Sequence, residues 1–148
     1  MARGRHHHVM DAKGRVAIPA GFRMELQAQD DRPPILTHLV DSQALALYSH
    51  NRWEAIEQRL ASMSQTQPEI QAVQRLIISS AEECPLDGQG RLLVPHHLRE
   101  EAGLDRDVTI AGVGARIELW DKLRFESALA ETRAHSREIA SITAQLGL

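Results

Sequence analysis

Residues 11–23 read DAKGRVAIPAGFR, and residues 87–99 read DGQGRLLVPHHLR. Aligned without gaps, Asp11/Asp87, Gly14/Gly90, Arg15/Arg91, Pro19/Pro95 and Arg23/Arg99 are identical. Val16/Leu92, Ile18/Val94 and Phe22/Leu98 are apolar in both copies. A second pair of blocks follows in the same order. LYSHNRWE at 47–54 and LWDKLRFE at 119–126 share Leu, Arg and Glu, with aromatic residues at Tyr48/Trp120 and Trp53/Phe125. The spacing between the blocks differs by four residues, which a longer loop in the first copy around residues 30–34 absorbs. Two matched blocks in one order mark an internal repeat. The chain reads as a tandem duplication, with units at residues 1–80 and 81–148.

Each copy carries the same local signals. Gly14 and Gly90 mark tight turns before short apolar strands, Arg15–Ile18 and Arg91–Val94. Pro19 and Pro95 fall where a first helical residue is favoured, because proline lacks an amide donor and presets φ. The helices that follow turn Phe22 and Leu26, or Leu98 and Ala102, inward, and Gly103 is a helix stop. Strand pairs come next, Ile35–Val40 with Ala44–Tyr48 and Val108–Ala111 with Arg116–Trp120, with turn signals at Asp41–Ser42 and Gly112–Gly114. Helices close each unit. Trp53, Ile56, Leu60 and Met63 share one face; a helix from Pro68 aligns Ile70, Val73 and Ile77. Asp121 caps a helix bearing Phe125 and Leu129, and Ile139, Ile142 and Leu146 form a last apolar stripe. The expected class is α+β.

The 148 residues are 43% hydrophobic and 25% charged, a globular balance. Cys84 is the single cysteine, which excludes an intramolecular disulfide and a multi-cysteine zinc site. No apolar run approaches the length of a membrane span, so a cytoplasmic protein without a membrane partner is expected. The formal charge is −3, so a nucleic-acid role requires a locally basic face.

The D-x-x-G-R-apolar-P blocks, Asp11 to Pro19 and Asp87 to Pro95, resemble the paired Asp-x-x-x-Arg signatures of the MraZ family, within the SpoVT/AbrB-like swapped-hairpin superfamily. The likeness extends to Arg3-Gly4, to Lys13, to QRLIISSAEECPLDGQGRLLVP through the middle and to Glu118-Leu119-Trp120, nearly the whole chain. It implies two swapped-hairpin β-barrel units with flanking helices. It also implies a sequence-specific DNA-binding regulator, a repressor at the promoter of the division and cell-wall gene cluster including its own gene. Ring-like homo-oligomers on repeated double-stranded DNA sites, associated with the nucleoid, complete that expectation. One departure stands out: where the family carries Phe at position 2 and an apolar first strand, this chain has Ala2 and His6-His7-His8, which weakens the expected packing of that strand.

The residues carry two readings. Residues 1–23 hold Arg3, Arg5, Lys13, Arg15 and Arg23 against Asp11 alone; residues 82–99 hold Arg91 and Arg99 against Glu82, Glu83 and Asp87. Phosphate neutralisation needs positive charge, arginine bridges guanine edges, and a β-ribbon fits the major groove. Lys13, Arg15, Arg3 and Arg5 are therefore the candidate DNA contacts. The other reading makes Asp11–Arg15 and Asp87–Arg91 ion pairs that close turns, with Gly14 and Gly90 as structural residues. Lys13, replaced by Gln89 in the second copy, is explained better by a DNA contact than by fold maintenance.

Other chemistry finds little footing. His6, His7 and His8 are consecutive, and neighbours on a strand point to opposite faces, so they do not jointly ligate one ion. His96 and His97 are adjacent and lack a metal-ligand spacing. Cys84 stands beside Glu82 and Glu83, which disfavour a thiolate. No nucleophile elbow or phosphate-binding loop is present. No enzyme activity, small-molecule substrate, metal or cofactor is expected. The alternative to DNA binding is a non-enzymatic, oligomeric protein-interaction module of the same fold, its helices meeting a toxin-type partner or a neighbouring subunit.

Overall fold

Gly14 and Gly90 turn the chain at φ 88° and 73°, a region open to glycine and costly for other residues. A three-residue strand follows each turn: β2 (Arg15–Ala17) and β6 (Arg91–Leu93). The structure is a computed structural model describing residues 1–148 apart from Gln29 and Ser42. Ser42 of the Asp41–Ser42 turn signal thus lies outside the described residues. The remaining elements are β1 (Ala2–Val9), α1 (Ala20–Gln27), β3 (Ile35–His38), β4 (Leu45–Tyr48), α2 (His50–Ala61) and α3 (Pro68–Val73). Then come β5 (Glu82–Glu83), α4 (His96–Ala102), β7 (Asp107–Gly114), β8 (Ile117–Asp121), α5 (Lys122–Ala134) and α6 (Ser136–Gln145). The α+β class and the duplicated order follow the sequence reading.

The strands exchange between copies. β1 pairs with β7 along its whole length, Ala2 opposite Gly114 through Val9 opposite Asp107, and β5 pairs with β3. β4 pairs with β8, giving a six-stranded antiparallel sheet in the order β1-β7-β8-β4-β3-β5. β2 and β6 form a separate two-stranded ribbon. In the ribbon the central pair is Val16 with Leu92; in the large sheet it is Ala46 with Glu118. Both pairs join equivalent positions of the repeat, the condition for a pseudo-two-fold axis through the molecule.

Because the copies interleave, they share one core. Val16, Ile18, Phe22, Leu36 and Leu47 pack in one cluster with Leu92, Val94, Leu98, Ile110 and Leu119, and most of these are fully buried. Eight-residue pairing to β7 keeps β1 extended despite its histidines. Ala2 is buried, and His6 meets the Phe22 ring edge-on at 5.3 Å between centroids. His7 turns to the other face, 3.0 Å from Asp107, so the consecutive histidines diverge as strand geometry requires. The buried Glu118 carboxylate is neutralised by the Arg116 guanidinium at 2.7 Å and accepts a hydrogen bond from Trp120 Nε1 at 2.9 Å. Family-like Glu118-Leu119-Trp120 is thereby a packing motif.

Helix ends follow local chemistry. Pro19 and Pro95 are N-cap residues in extended conformation, with helix beginning at Ala20 and His96, one residue later than their proline spacing predicts. α4 ends at Gly103, φ 62°, where the Leu104 amide donates to the Arg99 carbonyl at 2.9 Å and the Gly103 amide to Glu100 at 3.1 Å, a Schellman closure. The Asp121 carboxylate accepts from the Arg124 amide and caps α5 as expected. The helix from Pro68 widens after Val73 into a π-helical turn, Gln74–Ile78, and Thr37 Oγ1 donates to the Ile77 carbonyl there at 2.7 Å. The extra loop of the first copy is tied down by Arg32, which bridges Asp30 and Glu54; its guanidinium pulls the Asp30 carboxyl down to about 2.

Candidate nucleic-acid interface

The two signature turns have one geometry. Asp11 Oδ1 accepts from the Lys13 amide at 3.0 Å and the Arg15 amide at 2.9 Å, while Arg15 Nε donates to Oδ2 at 2.7 Å. Asp87 Oδ1 accepts from the Gln89 and Arg91 amides, both at 2.9 Å, and Arg91 Nε donates to Oδ2 at 2.9 Å. Each carboxylate thus folds its own turn. The Arg15 amide, followed by its guanidinium, holds the Asp11 carboxyl below the usual carboxylate range against partial desolvation. The Arg91 amide leads the same effect on Asp87, helped by the Gln89 amide. The ion-pair reading is present in both turns. It does not remove the arginines from solvent, since Arg15 and Arg91 remain 33% and 31% exposed.

Strand exchange puts these turns on one surface. Val16 and Leu92 face the core, so the other face of the ribbon carries Arg15, Ala17, Arg91 and Leu93. Arg15 stands opposite Leu93 and Arg91 opposite Ala17, diagonal across the pseudo-two-fold. The charge balance read from sequence separates the copies, whereas the ribbon joins them. Geometry does not tell Arg15 from Arg91. What differs is the turn beside each: Lys13 is exposed, with no side-chain hydrogen bond or ion pair among the described residues, and Gln89 is neutral.

Arg3 and Arg5 lie elsewhere, on β1 of the large sheet. The Arg5 guanidinium stacks over the Phe125 ring of α5, 5.5 Å from its centroid, a cation–π contact. Arg3 is exposed and has no side-chain partner among the described residues.

Two further arginines sit against the turns. Arg23 Nη1 donates to the Ile18 carbonyl at 2.7 Å, and Arg99 Nε to the Val94 carbonyl at 3.0 Å. Sequence reasoning gave them no role beyond charge, though their identity at one position in both copies was a signal. Cys84 is buried, and burial followed by the Glu82 charge pushes its thiol up to about 12. Among the described residues no group of three His, Cys, Asp or Glu side chains gathers at a metal-holding distance, and no helix is long and apolar enough to cross a membrane.

Fold and site define a duplicated, strand-exchanged α+β protein whose Asp–Arg turns share one ribbon. Comparison with known proteins agrees. The family described as "MraZ protein, putative antitoxin-like" matches residues 1–76 and again 77–146. The chain is 40% identical over 146 residues to the transcriptional regulator MraZ of Syntrophobacter fumaroxidans, spanning 99% of this chain and 96% of that one. It is 39% identical over 145 residues to the protein of that name from Alkaliphilus oremlandii, 98% of each. Against the Coxiella burnetii protein it is 41% identical over 128 residues, 86% of this chain and 84% of the relative. The chain belongs to the MraZ family of transcriptional regulators.

Proposed function

We propose that the chain regulates transcription by binding double-stranded DNA through the β2–β6 ribbon and its two signature turns. The observation that carries this is the pairing of Val16 with Leu92, which sets Arg15 and Arg91 on one narrow face, with the exposed Lys13 in the turn that leads into it. A two-stranded ribbon has the width of a major-groove reader, and exposed cations at its ends supply phosphate contacts. Repression of the promoter region ahead of division and cell-wall genes, including its own, is the target that the family resemblance implies. A single ribbon binds weakly, so several subunits of a homo-oligomer, arranged as a ring, engage repeated sites together. Titration of promoter-type duplex against scrambled duplex at two salt concentrations tests this. Preference for the promoter duplex, with affinity falling as salt rises, supports it; equal or undetectable binding of both duplexes overturns it.

A second reading follows from the exposed apolar side chains of the last helix and its C-cap, Ile139, Ile142 and Leu146: a protein-interaction module without DNA. Salt-insensitive failure to bind either duplex, with oligomers intact, favours that reading.

A further inference from the structure

Each signature glycine is covered by an arginine of the opposite copy. A Cβ on Gly14 would lie 2.5 Å from Arg99 Cζ, and one on Gly90 would lie 2.7 Å from Arg23 Cζ. These glycines are thus required twice, for their positive φ and for the guanidinium lying against them. The contact belongs to a small circuit. The Val94 amide donates to the Gly14 carbonyl at 2.9 Å, and the Val94 carbonyl accepts from Arg99 Nε. In the mirror circuit the Ile18 amide donates to the Gly90 carbonyl at 3.0 Å, and the Ile18 carbonyl accepts from Arg23 Nη1. Arg99, on α4 of the second copy, therefore braces the turn that carries Lys13 and Arg15. Arg23, on α1 of the first copy, braces the turn that carries Gln89 and Arg91.

We propose that Arg23 and Arg99 are positioning residues acting across the duplication, each fixing the signature turn of the other copy in the shape it presents to DNA. The role in binding rests on the ribbon being the DNA face; the bracing itself does not. A guanidinium is planar and weakly hydrated, so it packs flat on a glycine turn while donating from its edge. Lysine keeps the charge and loses the plane. Contacts to nucleic acid demand accurate placement of the donor groups, so a turn that loses its brace loses affinity without losing a contact residue.

The test has two readouts on the full-length protein. Residue-resolved hydrogen exchange, without DNA, follows the turn amides 11–15 and 87–91 in Arg99→Gln, Arg23→Gln and the corresponding lysine variants. Arg99→Gln and Arg99→Lys should speed exchange in 11–15, and at the Val94 amide that donates to Gly14, and spare 87–91; the Arg23 variants should speed 87–91 and the Ile18 amide and spare 11–15. Faster exchange in the same-copy turn, in both turns equally, or in neither overturns the bracing. Should a glutamine variant fail to fold, the lysine variant decides. For DNA, Arg99→Lys should weaken binding about tenfold, and the loss caused by Lys13→Ala should shrink in the Arg99→Lys background but persist in full with Arg23→Lys. Wild-type affinity for Arg99→Lys would show that charge alone acts there, and overturns the role in binding. If Lys13→Ala, Arg15→Ala and Arg91→Ala all bind DNA normally, the ribbon is not the DNA face, and the exchange pattern still judges the brace.

Discussion

An aspartate that accepts two backbone amides and one guanidinium sets a turn by its charge. Protonation removes that charge, and the pH dependence follows from the depressed values of Asp11 and Asp87. A carboxylate whose folded value lies below its unfolded one contributes full stability above the ordinary aspartate range. That contribution is lost as pH falls through the lowered folded value. Asp30, drawn down to about 2 by Arg32, adds to the same acid window. Thermal unfolding should thus be insensitive to these groups at neutral pH, and its midpoint should fall below about pH 4. In Asp11→Asn/Asp87→Asn the midpoint should be lower by several degrees at pH 7 and its acid decline shallower. An unchanged acid slope in the double variant would show that the clasps carry no pH-dependent stability. Lys13 has no such duty, being exposed and without a side-chain partner. Lys13→Ala should keep the unfolding midpoint while lowering DNA affinity roughly three- to tenfold and flattening its salt dependence. Arg15→Ala and Arg91→Ala, each removing a clasp, should both lower the midpoint, and because the Lys13 turn is the more basic, Arg15→Ala should cost more affinity. Equal affinity losses from the two arginine variants, with folding intact, would refute the asymmetry.

Within single elements, local chemistry was legible and pairing was not. Asp11, Gly14 and Pro19 each constrain a residue or two of backbone, so turn, strand and helix could be placed from their order alone. The capping duty of Asp121 and the stop at Gly103 are likewise local. The prolines acted one residue earlier than expected because their extended ψ serves the N-cap as well as their fixed φ serves the first turn. The π-helical turn after Val73 left no trace in the apolar spacing, since Ile70, Val73 and Ile77 fit an ordinary helix. The partner of β1 was beyond periodicity: period-two alternation reports a face, never the identity of a neighbour distant in sequence. For that reason Arg15 and Arg91 were separable by local charge yet meet on one ribbon. The segment entering the second copy carries a further expectation. Cys84, buried beside Glu82 and with its thiol pushed up to about 12, is a small apolar residue. Folded protein should react negligibly with a thiol reagent at pH 8, and Cys84→Ala should cost about 1 kcal/mol while binding DNA normally. A loss of DNA binding on mild oxidation that Cys84→Ala escapes would instead make it a redox switch.

Across the whole molecule, the single core leaves its last helix uncovered. On α6, Ile139 is 43% exposed and Ile142 57%, with Leu146 at its C-cap 68%, and no residue of that helix is buried. A ten-residue helix with these contacts is marginal in water by itself, and aligned apolar side chains on a surface mark an interface. The duplication favours a second copy as the cover. The helices that end the two copies are similar but unlike, so joining the end of one subunit to the other end of the next is a heterologous contact, which closes into a ring when the rotation allows. Avidity then makes a definite demand. If each ribbon binds weakly and the assembly binds tightly, a substitution far from every ribbon must weaken DNA binding by dispersing the subunits. Ile142→Asp places a charge in the middle of the stripe without touching the core. It should leave the far-ultraviolet circular dichroism of the sheet intact and shift light scattering after size exclusion from a multi-subunit mass toward the 16.5 kDa of one chain. Affinity for a duplex with repeated sites should fall by about a hundredfold, while affinity for a single site changes little. A wild-type protein that runs as one chain and still binds repeated sites tightly would remove the need for assembly, and with it the multivalent mechanism.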